Sequence, residues 1–226
     1  QERNMPAKKG TGLLMVWVEV PDEIDAEFNK WYNEEHVAER LAIPGILSAA
    51  RYEVVTSGPK MLAFYELESS AVMESAEYLR VRDNQSEWTK RMNPADVSSL
   101  YIRNVYEMIY PTELTDEIAS SSMAPALQIG RMNIPPEVED EWNDWYNTVY
   151  VPNYEKVPGV IRGRRFKAVV GEPQYLTVYE FEHEGASQTD EWLHQQNIDP
   201  RNAAMREAMN HVPGSPGIWK KTFELP

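Results

Sequence analysis

The sequence contains no cysteine in its 226 residues. A disulfide framework, a thiolate nucleophile, a zinc site with cysteine ligands and an iron–sulfur cluster are therefore excluded. Histidine is scarce as well: there are four, and no H-x-H, H-x-x-x-H or H-E-x-x-H pattern joins any two of them. We therefore predict no metal site and no cofactor, and chemistry that relies on histidine, carboxylate, tyrosine or arginine side chains.

Positive charge and long apolar runs are also limited. The 22 lysines and arginines are outnumbered by 36 carboxylates, which gives a net charge of −14, and so acidic a chain is unsuited to a nucleic-acid partner. The longest apolar run, residues 12–20, is far shorter than the roughly 20 residues of a transmembrane helix. We expect a cytoplasmic protein with no membrane partner. Because residue 1 is Gln, the sequence does not exclude a targeting segment that was removed.

Several nucleotide and nucleophile motifs are missing too. The sequence has no Walker loop, no G-x-G-x-x-G and no G-x-S-x-G, which disfavours nucleotide binding and a serine nucleophile. Haem would need an axial histidine on a helix that faces a pocket. His194 and His211 could serve, but nothing else in the sequence favours haem.

What the chain does have is an internal repeat. Residues 13–68 align without a gap onto residues 127–182, an offset of 114, and 18 of the 56 aligned positions are identical. This density of matches indicates a duplicated unit of about 100 residues. Two copies are too few for a solenoid, so we expect them to pair with each other.

Each copy has the same predicted order of elements. A β-branched and aromatic run precedes a proline and an amphipathic helix, and a Pro-Gly break, two strands, a second helix and a last strand follow. The predicted ranges are 13–20, 22–36, 50–56, 61–68, 70–91 and 102–109 in the first copy, and 127–134, 136–150, 161–170, 174–182, a helix within 189–210, and 218–225 in the second. The order βαββαβ predicts a ferredoxin-like unit.

The predicted domains are repeat 1 at residues 11–111, a serine-rich linker at 112–125 and repeat 2 at 126–226. A four-stranded antiparallel sheet with helices on one face leaves its other face uncovered. Two such faces can cover each other. We therefore predict an α+β fold in which two tandem ferredoxin-like βαββαβ repeats bring their antiparallel sheets face to face as an α+β barrel.

The pattern W-Y-N-x-x-H-V, followed by P-G and A-x-R-Y, runs from Trp31 to Tyr52. It resembles the dimeric α+β barrel superfamily and, within it, the EthD-like group, and the resemblance covers both copies as a fused pseudo-dimer. It implies small hydrophobic or aromatic substrates bound between each sheet and its helices. The implied activities include cofactor-free oxygenation, lactone isomerisation, polyketide cyclisation, dehydration and decarboxylation, with haem in some branches, and fold alone selects none of them.

His36 is the leading catalytic candidate. We place it at the end of the first helix, near the pocket that the resemblance implies, where an imidazole can act as a general acid or base near neutral pH. Its counterpart in the second copy is Tyr150, so the two copies differ at this position. One interpretation is an active pocket in repeat 1 and a degenerate or differently specialised one in repeat 2. The other is a histidine that only interacts with the helix dipole.

The first strand of each copy offers a second contrast. Trp17 alternates onto one face with Leu13 and Met15, and Arg131 takes the position of Trp17 in repeat 2. This predicts an apolar, stacking pocket in one half and a pocket that accepts an anion in the other, through a bidentate arginine contact. The alternative is an Arg131 that pairs with a carboxylate.

Tyr65 and Tyr179 occupy equivalent positions on the third strand, and each is followed by a glutamate on the opposite face. Either hydroxyl could donate to a developing oxyanion, whereas retention in both copies favours packing. The same reasoning favours a packing role for Tyr32. Arg51 and Arg165, which are also shared, are predicted to be structural ion-pair partners.

We therefore expect a cofactor-independent enzyme of lyase, isomerase or dehydratase type that acts on a small aromatic or polyketide-like compound, with His36 as general acid/base and Tyr65 as second catalytic residue. The predicted substrate-binding residues are Trp17, Tyr32, Tyr52, Arg131, Tyr150 and Tyr179. The alternatives are a cofactor-free monooxygenase, which requires dioxygen, and a non-catalytic small-molecule-binding or scaffold protein. The sequence also allows two such pseudo-dimers to associate into a homodimer.

Overall fold

The computed structural model describes residues 6–225. The elements of the first half are β1 (Gly12–Glu19), α1 (Asp22–Trp31), a π-helical turn (Tyr32–His36), α2 (Val37–Leu41), β2 (Ile46–Val54), β3 (Met61–Leu67), a 3₁₀ turn (Ser70–Glu74), α3 (Ala76–Asp83), α4 (Glu87–Met92), α5 (Pro94–Val97) and β4 (Leu100–Tyr110). A short helix, α6 (Asp116–Ser120), leads to the second half.

The second half runs in a similar order. Its elements are β5 (Ala126–Asn133), a 3₁₀ turn (Pro136–Val138), α7 (Glu139–Trp145), a π-helical turn (Tyr146–Tyr150), α8 (Val151–Tyr154), β6 (Val160–Val170), β7 (Tyr175–Phe181), a 3₁₀ turn (Ala186–Gln188), α9 (Asp190–Asn197), α10 (Asn202–Glu207), β8 (Asn210–His211) and β9 (Gly217–Glu224).

The eight long strands form a closed antiparallel barrel. Their order is β7-β6-β4-β1-β3-β2-β9-β5, and β5 pairs again with β7 to close the ring. The pairings β4–β6 and β2–β9 join the strands of the two halves along both edges, so these strands have no free edge. The short strand β8 extends from β5 outside the ring. The α+β barrel expected from the sequence is confirmed.

Alternate side chains of each strand face either the barrel interior or the helices. Trp17 and Phe64 belong to the interior cluster. Trp31 and Tyr65 belong to a layer between the sheet and the first-half helices, and Trp145 belongs to the corresponding layer of the second half. Because both faces of the strands are covered, a strand such as β1 is apolar along almost its whole length.

The barrel interior also holds a buried ion cluster. Arg164 pairs with Glu66 and, at 3.2 Å, with Glu180. Glu180 also accepts a hydrogen bond from Arg162 at 3.0 Å and lies 3.3 Å from the Nζ of Lys9. Removing one member would leave a buried charge uncompensated, at a cost of about 3–5 kcal/mol. The interior is therefore a packed core that holds the two halves together.

The helices that follow the hairpins differ from prediction in their continuity. The helix predicted at 70–91 is divided because Ser75 and Ser86 each accept a backbone N–H and begin a new helix. Asn93 begins a further short helix, α5, beyond the predicted range. The helix predicted within 189–210 is likewise divided into α9 and α10.

The segment predicted as a linker, residues 112–125, is part of the packed structure. It contains α6, and its Met123 and Ala124 are buried in the interior cluster of the barrel. The segment therefore closes part of the barrel as well as connecting the two halves.

Within residues 6–225, no helix is long and apolar enough to cross a membrane.

Candidate functional site

The larger of the two helix-side cavities, here called the first-half cavity, lies between the first-half sheet and its helices. Its volume is about 490 Å³. Leu14 and Val16 of β1 and Tyr65 of β3 line it from the sheet, and Trp31 and His36 line it from the first helix. This volume falls within the range of about 300–1,000 Å³ that is typical of small-molecule sites.

His36 lies in the π-helical turn and not at a helix end. The turn comprises Tyr32–His36, and the chain continues as α2 to Leu41, so the prediction of a helix-terminal histidine was wrong. A π turn widens the helix by one residue and is frequent at functional sites. Here it places His36 in the wall of the first-half cavity.

The imidazole of His36 is held by aromatic rings. Its centroid lies 4.5 Å from that of Trp31 and 4.9 Å from that of Tyr32. Burial, together with the charges of Arg40 and Arg51, lowers the pKa of His36 well below 6.5, so the ring is neutral at pH 7. Its Nδ1 is buried and has no hydrogen-bond partner among the described residues. A neutral imidazole of this kind can accept a proton from a ligand.

Tyr65 brings a hydroxyl to the same cavity from β3. The hydroxyl is buried and makes no hydrogen bond of good geometry within residues 6–225, although the Tyr32 hydroxyl is its neighbour. Burial raises the pKa of Tyr65 well above 10, so the group remains a protonated donor. The cavity thus brings together both predicted catalytic residues, His36 and Tyr65, with the predicted binding residue Tyr32.

Arg40 is a lining residue that the sequence analysis missed. It lies on α2, four residues after His36, and is only 8% exposed. Its guanidinium carbon lies 5.5 Å from the centroid of the Tyr78 ring, and its Nη1 has no partner in the described part of the chain. The available signal was the four-residue spacing, which puts Arg40 on the same helix face as His36.

A hydrogen-bond network fixes the wall behind His36. The Nε1 of Trp31 donates to the hydroxyl of Thr89 at 3.1 Å. Thr89 and Ser86, both at the start of α4, donate to a carboxylate oxygen of Glu35 at 3.3 and 3.0 Å. These contacts join α4 to the π turn, so Trp31 presents a fixed ring to the imidazole.

The corresponding second-half cavity is smaller, at about 230 Å³. Tyr150 and Tyr179, both predicted as substrate-binding residues, line it. The hydroxyl of Tyr154 donates to that of Tyr150 at 3.0 Å, and the Tyr154 ring stacks on Trp192 at 3.8 Å. Because Tyr150 takes the place of His36, this cavity has no imidazole at that position.

The three other predicted binding residues lie in the barrel and line neither helix-side cavity. Trp17 and Arg131, predicted to mark two different pockets, contact each other, with the guanidinium carbon 4.3 Å from the indole centroid, and Arg131 also lines a third cavity of about 590 Å³. Arg131 donates to the carbonyl of Glu172 at 2.9 Å, and the Tyr52 hydroxyl donates to the carbonyl of Ala124 at 2.7 Å. The reason is that the predicted strand face points into the barrel, where closure brings the two halves together.

Arg51 and Arg165 are structural, but their partners are amides. Arg51 donates to Asn33 at 2.8 Å and to Asn29 at 2.7 Å. Arg165 donates to the two asparagines at the equivalent positions, at 2.7 and 2.9 Å. The prediction of ion pairs was therefore wrong, and each arginine instead ties a strand to the first helix of its half.

The two histidines considered for haem lie away from His36. His194 is exposed in a surface groove beside Lys156. His211 lies on the short strand β8, with its Nδ1 2.8 Å from the hydroxyl of Ser215. Neither lines the first-half cavity, whereas His211 lines the second-half cavity. Within residues 6–225, no group of three or more histidine, aspartate or glutamate side chains is placed to hold a metal ion.

No family model matches the sequence, and no curated protein matches it. Solved structures do match. One, described as an anthrone oxidase-like protein, has a TM-score of 0.64 at 13% identity and covers 96% of this chain and 93% of that chain. A candidate monooxygenase from Fusobacterium nucleatum has a TM-score of 0.57 at 9% identity, with coverages of 95% and 94%. A heme-binding protein from Thermus thermophilus has a TM-score of 0.55 at 12% identity, with coverages of 98% and 96%.

At these identities the likeness shows the fold and does not show the activity. The names of the similar structures cover several functions, as expected of a fold that hosts many chemistries. The coverage is nearly complete on both sides, so the likeness extends to the whole barrel. The chain therefore shares the overall fold of these structures, and one chain supplies all eight strands of its α+β barrel.

Proposed function

We propose that the first-half cavity is the active site of an enzyme that removes a proton from a small aromatic or polyketide-like carbonyl compound, with His36 as the general base. One observation carries this proposal: the Nδ1 of His36 and the Nη1 of Arg40 are buried around one cavity without a partner among the described residues, and the Tyr65 hydroxyl in the same wall has only the Tyr32 hydroxyl as its neighbour. Buried polar groups are nearly always hydrogen-bonded, and exceptions call for a functional explanation. A bound ligand would supply the missing partners.

The reaction begins at a C–H bond next to the carbonyl. His36 takes the proton and becomes imidazolium, while the electron pair of the C–H bond moves into the carbonyl to form an enolate. The Tyr65 hydroxyl donates a hydrogen bond to the enolate oxygen. Without a ligand, burial keeps the pKa of His36 low, and the negative enolate beside it raises that pKa as the proton moves. Trp31 and Tyr32 offer aromatic surfaces to the rings of the ligand.

Two fates of the enolate give two candidate functions. Reaction with dioxygen would make the protein a cofactor-free monooxygenase. The names of the anthrone oxidase-like protein and the candidate monooxygenase favour this class, on the strength of shared fold. Reprotonation at another atom, or loss of a leaving group, would make it an isomerase or a lyase. The presence of Tyr65 as a protonated donor near His36 supports this second candidate.

We also propose that the two halves descend from one duplicated βαββαβ unit of EthD-like kind, with repeat 1 at 11–111 and repeat 2 at 126–226. The 18 identical residues in 56 aligned positions support this origin. The π turns at equivalent positions and the equivalent arginine–asparagine bonds support it as well.

The proton-transfer step can be tested with anthrone, an aromatic ketone with an acidic methylene group. Under argon in D₂O, the wild-type protein is expected to speed the exchange of the methylene hydrogens above the buffer rate, as measured by mass spectrometry. His36→Ala should slow the catalysed exchange by about 10²- to 10⁴-fold. Tyr150→Phe, the matched change in the second half, should leave it unchanged. Circular dichroism would confirm that both variants fold.

Air then separates the two candidate functions. An oxygenase converts the methylene to a second carbonyl: one oxygen atom of dioxygen enters the product, and the other leaves as water with the two hydrogens. Exchange without quinone formation in air would instead indicate the isomerase or lyase class. An unchanged exchange rate in His36→Ala would overturn the role given to His36, and no exchange by the wild type would favour a binding protein.

A further inference from the structure

The first-half cavity is positively charged although the protein is acidic. Its lining includes Arg40, Arg82 and Arg103 but only one carboxylate, Glu74, which gives a formal charge of +2. The whole chain carries −14. A cavity that concentrates positive charge within low-dielectric walls attracts anions. The charge of this cavity is therefore opposite to that of the molecule around it.

Arg40 is the most deeply buried of the charged side chains that line the cavity. Fully desolvated arginines are normally paired with a carboxylate, because an unpaired buried charge is costly. Arg40 forms no salt bridge within the described part of the chain, and the adjacent Glu39 also keeps a buried carboxylate oxygen without a partner there. The guanidinium of Arg40 therefore has hydrogen-bonding capacity that no protein group uses.

A second arginine also contacts Tyr78. Arg103 donates to the Tyr78 hydroxyl at 2.9 Å, and Arg40 lies over the ring of the same tyrosine. Tyr78 therefore contacts two cations that both line the cavity. A planar guanidinium fork is well suited to a carboxylate because two parallel N–H groups can donate to its two oxygens.

The second-half cavity lacks this arrangement. The position of Arg40 is taken by Tyr154, whose hydroxyl donates to Tyr150 at 3.0 Å. The second-half cavity does have a lining arginine, Arg206, but it comes from α10, so only the half with His36 has an arginine at the position of Arg40.

We propose that the ligand of the first-half cavity is an aromatic compound that carries a carboxylate, and that Arg40 binds this carboxylate and so determines specificity. The aromatic walls contact the rings, and Arg40, with Arg103 nearby, holds the acid group. This proposal rests on the proposed function for the location of the site, but ligand binding by Arg40 can be measured without turnover. It narrows the substrate class from aromatic carbonyl compounds to those with an acid group.

The test compares two unreactive probes of nearly equal shape, 2-naphthoate and 2-naphthamide, by isothermal titration calorimetry on the full chain. The wild type is expected to bind naphthoate at least about tenfold more tightly than naphthamide. Arg40→Met should weaken naphthoate binding by about 10- to 100-fold and leave naphthamide binding nearly unchanged. Arg40→Lys keeps the charge but loses the planar fork of the guanidinium. Its affinity for naphthoate should lie between those of the wild type and Arg40→Met.

Arg82→Met is the matched control. Arg82 lines the same cavity but is half exposed and pairs with Asp83, so its loss should weaken naphthoate binding by less than about threefold. Equal affinity for the two probes, no measurable affinity for naphthoate, or an equal effect of the two methionine variants would overturn the proposal. If Arg40→Met does not fold, an Arg40→Lys variant with wild-type affinity for naphthoate would overturn it as well. Loss of anthrone chemistry with Arg40-dependent naphthoate binding would disprove only the proposed reaction.

Discussion

The two halves of the molecule differ in the hydrogen bonding of two equivalent positions, 36 and 40 in the first half and 150 and 154 in the second. His36 and Tyr150 each pack against the tryptophan five residues earlier, with ring centroids 4.5 and 4.4 Å apart and the same interplanar angle of 32°. Four residues later the first half has Arg40, whose Nη1 has no partner among residues 6–225. The second half has Tyr154, whose hydroxyl donates to Tyr150 at 3.0 Å.

The comparison shows how one backbone can serve either packing or binding. In the second half, Tyr150 and Tyr154 are joined by a hydrogen bond and Trp192 stacks on Tyr154. The cavity there is about 230 Å³, whereas the first-half cavity is about 490 Å³. A buried polar group without a partner costs about 1–3 kcal/mol. The first half leaves the Nη1 of Arg40 in this state where the second half has the Tyr154–Tyr150 hydrogen bond, although the second half has unpartnered buried groups of its own, among them the Tyr179 hydroxyl.

The largest expected effect concerns the filling of the second-half cavity. The ring of Trp192 packs against those of Tyr154, Tyr179 and Phe181, with ring centroids 3.8, 5.5 and 5.7 Å apart. Trp192→Ala should lower the free energy of unfolding by about 3–5 kcal/mol, because it removes these contacts and leaves a void. Urea unfolding followed by circular dichroism measures this.

Leu193→Ala is the control for Trp192→Ala. Leu193 is the next residue on the same helix but is 55% exposed, so its loss should change the free energy of unfolding by no more than about 0.5 kcal/mol. A loss below about 1 kcal/mol for Trp192→Ala would contradict the comparison. It would mean that the second half, like the first, does not depend on a filled cavity.

Part of this comparison could be predicted from the sequence. The offset of 114 residues pairs His36 with Tyr150 and Tyr65 with Tyr179 without any structure. The strand ranges were close, since β-branched and aromatic runs between turn residues are a strong signal. His36 and Tyr65, which come from a helix and a strand, do line one cavity.

The face of each strand could not be predicted. Alternation groups Trp17 with Leu13, but it does not say whether their face meets the helices or the barrel interior. That choice depends on two strand pairings, β4–β6 and β2–β9. The residues that β2 and β9 bring together are more than a hundred positions apart in the sequence. Arg131 contacts Trp17 and lines a third cavity that is separate from the two helix-side cavities.

Arg40 and the broken helices were missed for local reasons. An arginine on an amphipathic helix is normally solvated, and the π turn before Arg40 has no sequence marker comparable to proline or glycine. The helix breaks did have a signal. Ser75 and Ser86 are both good N-cap residues, each accepting an N–H from three residues ahead.

The next effect is a pH dependence that His36 contributes and its counterpart Tyr150 does not. The pKa of His36 is well below 6.5 in the folded protein because of burial and the charges of Arg40 and Arg51, and about 6.5 in the unfolded chain. Between these values the unfolded chain binds a proton that the folded chain does not. The free energy of unfolding should therefore fall as the pH falls below about 6.5, by at most about 1.4 kcal/mol per pH unit, until the folded pKa is reached.

The measurement compares urea unfolding at about pH 7.5 and about pH 5.5. His36→Phe should lose less stability on acidification than the wild type, whereas Tyr150→Phe should keep the wild-type dependence. The pKa of His211 is also lowered by burial, but its contribution is common to all three proteins and cancels in the comparison. The same pH dependence in His36→Phe and the wild type would show that folded His36 takes up a proton freely.

The smallest expected effect separates two hydroxyls. Tyr150→Phe removes the acceptor of the 3.0 Å bond from Tyr154, which should lower the free energy of unfolding by about 0.5–1.5 kcal/mol. Tyr65→Phe removes a buried hydroxyl that has no partner of good geometry among the described residues, so it should leave the free energy unchanged or raise it by up to about 1 kcal/mol. Urea unfolding of both variants at one pH measures the difference. Equal losses would mean that Tyr65 shares a hydrogen bond with Tyr32 in solution, and this hydroxyl of the first-half cavity would then no longer require a ligand.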